Sequence, residues 1–357
     1  VSDRSYLHNY WDINENYLTS DATLTYQNDR DYGTLSSFYF QDLRTNPDNL
    51  YNPSIIPIGD YHKEFFHGEN KFVSNANFIN ILRKNGQLNT KRLSTKFNWE
   101  KETNVNNHRL GFFQKLKASI FNFSNKAPTT SQYMQLAHRK EINVVTPESE
   151  MNWSYSLVAL YDSHTLYVNP IVNIIASPNS SKNNKIINED SKSLELTDTN
   201  LFSDDRYAGY NQIEHGNRSN YGINADLLMD KYHYNFLFVQ VYRQRKTKDY
   251  SINSGLYNKH FSDYVGHVSV KPTTWLSTFY RFRFDQKRMH SRKQELDNQL
   301  FFNLNNDIIN SITLVNKISK INYIKTKDNN FIDLDKVITL ETNIRLFKEW
   351  FIEGSAA

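Results

Sequence analysis

The chain has 357 residues, 42 basic and 38 acidic side chains for a net charge of +4, 38% hydrophobic residues and no cysteine. Near balance of charge leaves no electrostatic footprint for nucleic acid, and the missing thiols exclude disulfides and thiolate metal sites. A mean hydropathy of -0.69, with no run of about 18 apolar residues, excludes a helical membrane protein but not a membrane barrel, in which only alternate strand residues meet lipid.

The start, VSDRSYLHNYW, is neither an n-region nor an h-region, so an exported protein of this sequence would be a mature or truncated piece. TLSSFYF at 34 to 40 alternates apolar and polar residues, the period of a half-buried strand. TNPDNLYNPS at 45 to 54 is a polar connector. YHKEFFHGEN follows, and the spacing of His62 and His67 matches no zinc pattern, so both read as ordinary loop histidines. MNWSYSLVALY at 151 to 161 alternates again, with Met151, Trp153, Tyr155, Leu157, Ala159 and Tyr161 on one face.

A strand over Pro170–Ala176 leads into a long acidic, amide-rich connector from about 177 to 220, which opens with SPNSSKNNK. Loops of that length are functional or disordered. Leu196, Leu201, Phe202, Tyr207 and Tyr210 give this one too many apolar anchors for a tail in solvent. It is expected to fold inward, with Asp198, Asn200 and Arg206 hydrogen-bonding the strand wall and Gly209 and Gly216 supplying sharp turns. The acidic pairs Glu189-Asp190 and Asp204-Asp205 read as solvated, or as attractive to calcium.

Beyond the connector come strands at 221 to 227 and at 234 to 243 (YNFLFVQVYR), the latter running into the basic stretch YRQRKTKD, which reads as a solvated strand end or as a holder of phosphates. WLSTFYRFRF at 275 to 284 has one greasy face and one partly cationic face, and INYIKTK at 321 to 327 alternates once more. At roughly 20 residues per strand and turn, the chain accommodates about 16 to 18 strands. The expected fold is all-β: a large antiparallel transmembrane β-barrel. No nucleophile elbow, P-loop or dinucleotide fingerprint is present. The expectation is a protein that is not an enzyme and uses neither cofactor nor metal.

Several ordered motifs carry a resemblance. NPIVNIIASPN (169–179), NEDS (188–191), DTNLFSDDRYAGYNQIEHGNRSNYGI (198–223), FYFQDLR (38–44), IPIGDYHKEF (56–65), VQVYR (239–243) and SDYVGHVSV (262–270) resemble segments of the outer-membrane lipopolysaccharide-assembly family LptD, also called OstA. They run in family order from about residue 3 to about 285, and the 198–222 block is the specific one. The resemblance marks Pro170, Asp198, Asn200, Phe202, Arg206, Gly209, Tyr210, Arg218, Gly222, Gln240, Tyr242, Arg243, Arg281 and Arg283 as motif, lumen or loop residues.

The resemblance implies a bacterial outer-membrane barrel that inserts lipopolysaccharide into the outer leaflet, sugars passing through the wet interior and acyl chains near a seam. It implies an LptE-like lipoprotein plug and an LptA-like periplasmic bridge docking on a jellyroll domain. It also places Leu276, Tyr280 and Phe282 in lipid and Ser277, Arg281 and Arg283 in the lumen. The sequence departs from the family pattern in showing no jellyroll and no recognisable closing strand at EWFIEGSAA, so residues 1–357 read as a barrel fragment or a shortened homologue. Without cysteine, the family's disulfide-controlled maturation is not open to it. Another outer-membrane barrel, porin-like or TonB-dependent, shares the alternation but does not explain the 198–222 block. A soluble β-sandwich adhesin would need continuously apolar core strands, which this sequence lacks.

Overall fold

The computed structural model describes residues 17–42, 53–83, 88–124, 141–179, 186, 188–191, 195–203, 205–304, 309–324, 331–346 and 350–356. Of the segments read above, residues 1–11, 43–52, 180–185, 187, 192–194, 204, 325–327, 349 and 357 lie outside that set. The first half contributes β1 (Tyr17–Asn28), β2 (Asp31–Asp42), β3 (Ser54–His67), β4 (Asn70–Leu82), β5 (Asn89–Val105), β6 (His108–Ser124), β7 (Glu141–Tyr155), β8 (Leu157–Tyr161) and β9 (His164–Ala176). The second contributes β10 (Arg218–Met229), β11 (His233–Arg243), β12 (Tyr264–Lys271), β13 (Leu276–Phe284), β14 (Ser291–Asn303), β15 (Ile309–Ile324), β16 (Phe331–Leu346) and β17 (Trp350–Ala356).

All belong to one 17-stranded sheet. Each strand pairs antiparallel with its sequence neighbour, from β1–β2 through β16–β17. The one exception is β9, which pairs with both β7 and β8. These two are halves of one strand. Ser154 faces Ile171 and Leu157 faces Val168 in an unbroken register. The interruption falls opposite Pro170, which has no N–H to donate to the ladder. The sheet is all-β as expected, and among the described residues β1 and β17 do not pair, so it is not closed.

The two ends of the sheet differ. At one end the hairpins are tight: Asp29-Arg30, Gly68-Glu69, Asn106-Asn107 and Asp162-Ser163 each join strands with two residues. Asn106 and Asn107 both take positive φ (47° and 66°), the backbone of a turn that matches strand twist. Gly68 (φ 59°) does the same for its hairpin. At the other end lie the long connections, above all 177–217 between β9 and β10 and 244–263 between β11 and β12.

Burial is inverted relative to a soluble protein. In β7, Glu148 and Glu150 are 2% and 6% exposed while Val145, on the opposite face, is 62% exposed. In β6, Lys117 is 1% exposed and its neighbour Leu116 is 46% exposed. Exposed Leu93, Phe97, Phe112, Ile120, Ile174 and Phe236 continue the apolar outer face. Side chains alternate along a strand, so one face is polar and filled and the other apolar and open. Water would not favour that arrangement; a bilayer does. A sandwich with a greasy core is ruled out.

Strands β5 and β6 are each 17 residues long. Strand hydrogen bonding does not stop where the apolar band stops, because a paired hairpin satisfies its backbone equally well in water. The segment EWFIEGSAA contributes β17, which pairs with β16 from Leu346↔Trp350 to Leu340↔Ala356 and does not pair with β1 among the described residues. Its Glu353 and Gly354 hide the apolar alternation.

Candidate functional site

The inner face is occupied by the connector between β9 and β10, and two apolar seats hold it. Leu196 (4% exposed), Leu201 (0%) and Tyr207 (4%) pack with Leu237, Val239 and Val241 of β11, Val265 of β12, and Tyr250 and Leu256 of the next connection. Phe202 packs against the edge of this cluster. On the opposite flank Ile186 and Ile213 meet Leu88, Phe121 and Phe123 of β6, and Ile142 and Val144 of β7. The sequence marks the first seat through Leu201 and Tyr207. The second is invisible because Ile186 and Ile213 stand 27 residues apart in a polar connector.

Ion pairs complete the attachment. Toward one flank, Glu189 meets Arg83, just beyond β4, at 2.6 Å, and Asp190 meets Arg92 of β5 at 2.7 Å. Asp205 meets Lys117 of β6 at 3.3 Å. Toward the other flank, Asp198 meets His267 of β12 at 2.9 Å and Arg281 of β13 at 3.5 Å. Glu195 meets Arg283 at 2.6 Å and Lys293 of β14 at 3.5 Å. The Glu189-Asp190 pair is therefore bound by guanidinium groups, contrary to its reading as solvated or calcium-attracting.

At the centre sits Glu214, 1% exposed. It meets Arg206 at 2.9 Å, Arg243 at 2.8 Å and Arg218 at 3.6 Å, and accepts a hydrogen bond from the Tyr250 hydroxyl at 2.5 Å. Arg218 also reaches Glu148 of β7 at 3.1 Å. Burial by itself would favour the neutral acid, but the three guanidinium groups outweigh it and hold Glu214 well below the usual carboxylate range. Burial pushes the Tyr250 hydroxyl up, reinforced by the Glu214 charge. Burial also opposes ionisation of Asp198, yet the hydrogen bond to His267 and the charge of Arg281 bring its carboxyl down.

The residues singled out from the sequence divide into three groups. Asp198, Arg218, Arg243, Arg281 and Arg283 converge on the inner face through the contacts above. Tyr210 is half-buried, with Arg92 and Lys96 over its ring at 5.3 and 4.8 Å. Gly209 and Gly216 both take positive φ (85° and 87°), and an added Cβ would stand 2.7 Å from Asp190 and Asn179 respectively.

Asn200 and Arg206 belong to the second group, because they do not bond the wall. Asn200 donates to the Glu195 carbonyl and accepts from the Thr197 amide, closing a turn of the connector on itself. Arg206 binds Glu214 within the connector and reaches the wall only through it.

The third group does not line the interior. Pro170 marks the interruption opposite β7 and β8. Gln240 and Tyr242 alternate with the inward Val239, Val241 and Arg243, and so lie on the outer face. Gln240 accepts from the Tyr221 hydroxyl and donates to the Ser262 carbonyl, while Tyr242 packs on Phe261. Gly222 differs from these: it pairs with the inward Val239 and lies on the inner face, where an added Cβ would meet the Val239 Cγ2 at 2.7 Å. Phe282 is on the outer face as expected but only 8% exposed. Its ring closes over Gly266 and is flanked by Tyr280, Phe284 and Phe238.

Arg92, Lys117, Glu148, Glu214 and Tyr250 carry the site without having been singled out. The available signal was complementarity: a connector with acids at 189, 190, 195, 198, 204, 205 and 214 needs cationic partners. Strands β5 and β6 present Arg92 and Lys117 on one face.

The sequence model of the family described as LptD, LPS transport system D, matches residues 1–311. The chain belongs to that family. No curated protein sequence matches it. The crystal structure of the siderophore receptor PirA from Pseudomonas aeruginosa is similar at 12% identity with a TM-score of 0.46, covering 96% of this chain and 71% of that one. In a chain of the LptD family, the outward apolar face and the polar inner face covered by the connector fit an outer-membrane wall that meets lipid on one side. Beyond the connector, the inner faces of β14 to β17 leave a groove of about 680 Å³ lined by polar side chains including Gln299, Thr313, Glu341, Asn343, Arg345 and Glu353.

Proposed function

We propose that this chain is the barrel region of a translocon that passes lipopolysaccharide-type glycolipid to the outer leaflet of the bacterial outer membrane, without covalent chemistry. The observation that carries the reading is the family match over residues 1–311. The two-faced wall supports it physically. A glycolipid needs hydroxyl-matching surface for its sugars and apolar surface for its acyl chains. The groove on β14 to β17 offers amide, hydroxyl and charged groups of the kind that hydrogen-bond glycan, and the outer face offers the apolar side. Two-residue turns at one end and long connections at the other are the asymmetry of outer-membrane barrels, short turns in the periplasm and long loops outside. An LptE-like lipoprotein filling the interior and an LptA-like bridge supplying substrate belong to the same reading.

The test is photo-crosslinking in living cells. A photoreactive residue at Asn343, on the inner face, should capture lipopolysaccharide while export runs, and the adduct should fade when export is stopped. An inner position that never yields a glycolipid adduct, in cells where the protein is folded in the membrane, would sink the reading.

A further inference from the structure

The connector resembles a resident ligand more than a simple loop. Each of its described carboxylates, at 189, 190, 195, 198, 205 and 214, is paired with a cation outside its own turn or with the central arginine group. The wall it covers carries cations on both flanks: Arg83, Arg92 and Lys117 on one side, and on the other Arg281, Arg283 and Lys293, which also meet Glu295, Asp297 and Asp263. The two kinds of pairing differ. Around Glu214 everything is closed, with the side chains of Glu214, Arg206 and Arg218 all 0% exposed. Toward the flanks the carboxylates are partly open to solvent, Glu189 at 14%, Asp190 at 26% and Glu195 at 35%, against guanidinium groups of Arg83, Arg92 and Arg283 exposed to 16%, 2% and 3%. Exposed pairs are weak and exchange readily, whereas buried ones do not. Guanidinium forks take phosphate oxygens in the same bidentate geometry as carboxylates, and phosphate brings more charge.

We propose that the flank cations form a binding surface for the phosphate groups of a glycolipid headgroup, and that Glu189, Asp190 and Glu195 occupy it until such a headgroup displaces them. The Glu214 cluster keeps the connector anchored while its flank contacts exchange. The inference rests on the translocon reading above and adds the chemistry that admits the substrate. It predicts that removing a resident carboxylate tightens ligand binding, the opposite of what a purely structural ion pair would do.

The experiment uses the full chain in detergent with a single fluorescent label on Phe202→Cys, unique because the chain has no other cysteine. The probes are bisphosphorylated lipid A, its dephosphorylated form, and inorganic pyrophosphate. Bisphosphorylated lipid A should mobilise the label at lower concentration than the dephosphorylated form. Glu189→Gln with Glu195→Gln should lower that concentration at least about threefold, because the competent surface is no longer partly occupied. Arg283→Gln should raise it. Thermal unfolding of each variant shows that it is folded. Equal binding of both lipid forms, a double variant that binds no more tightly, or full response to pyrophosphate alone would each overturn the exchange. Binding of neither lipid form would overturn the translocon reading itself.

Discussion

Glu214→Ala is expected to cost about 3 to 5 kcal/mol of folding stability, the loss seen when one partner of a buried ion network is removed and the others stay charged. Arg206, Arg218 and Arg243 would then face one another with their common counter-ion gone, and all three are nearly or fully buried. Tyr250 would lose its acceptor as well. The connector 177–217 and the connection 244–263 are joined through this carboxylate, so both should loosen together. Glu214→Gln keeps an acceptor and the shape but not the charge, and should fall between wild type and alanine. Denaturant unfolding in detergent micelles, followed by tryptophan fluorescence and by gel mobility of the unheated protein, measures the effect. A loss of under about 1 kcal/mol for the alanine variant would show that the central cluster does not hold the connector.

Phe282→Arg is expected to be nearly as damaging, and much worse than Arg281→Phe one residue away. An arginine on the lipid face costs about 2 to 4 kcal/mol at mid-bilayer and less toward the interface. Here the ring is also packed, so a further 1.5 to 3 kcal/mol or so of apolar burial is lost. Gly266 beneath it has no side chain with which to fill the gap. Arg281 is a milder site: it is 37% exposed, and its contacts with Asp198, Glu295 and Asp297 lie at 3.4 to 3.8 Å. Such pairs contribute little when opened to water. Refolding yield into lipid vesicles separates the two variants, and equal losses would mean that the faces of β13 are assigned wrongly.

The period-2 pattern made β13 and β11 legible, because each carries aromatic residues on one face and polar or branched ones on the other. It did not make Phe282 legible as a packed residue, since that depends on Gly266 in the neighbouring strand, and register is set between strands rather than within one. The connector's direction could be read from Leu201 and Tyr207. Its partners could not, because the alternation within β6 and β7 puts Lys117 and Glu148 on the polar face without saying which distant segment covers that face. Asn200 and Arg206 were misjudged for a related reason: short-range hydrogen bonds within a loop compete with bonds to the wall. Gln240 and Tyr242 came in with a motif, whereas the alternation of β11 places them on the outer face beside the inward Arg243.

The whole account stands on the inner face of the sheet being filled by the connector while the outer face meets lipid. The most direct measurement is a nitroxide scan along β6 from Leu116 to Ile120, one spin label at a time in vesicles, with oxygen and a polar nickel complex as relaxing agents. Labels at 116, 118 and 120 should respond to oxygen and not to nickel, while those at 117 and 119, where Lys117 and Ser119 are 1% and 3% exposed, should be shielded from both. Strong nickel response at 116 and 120, with no alternation between neighbouring positions, would contradict the assignment of lipid and interior faces.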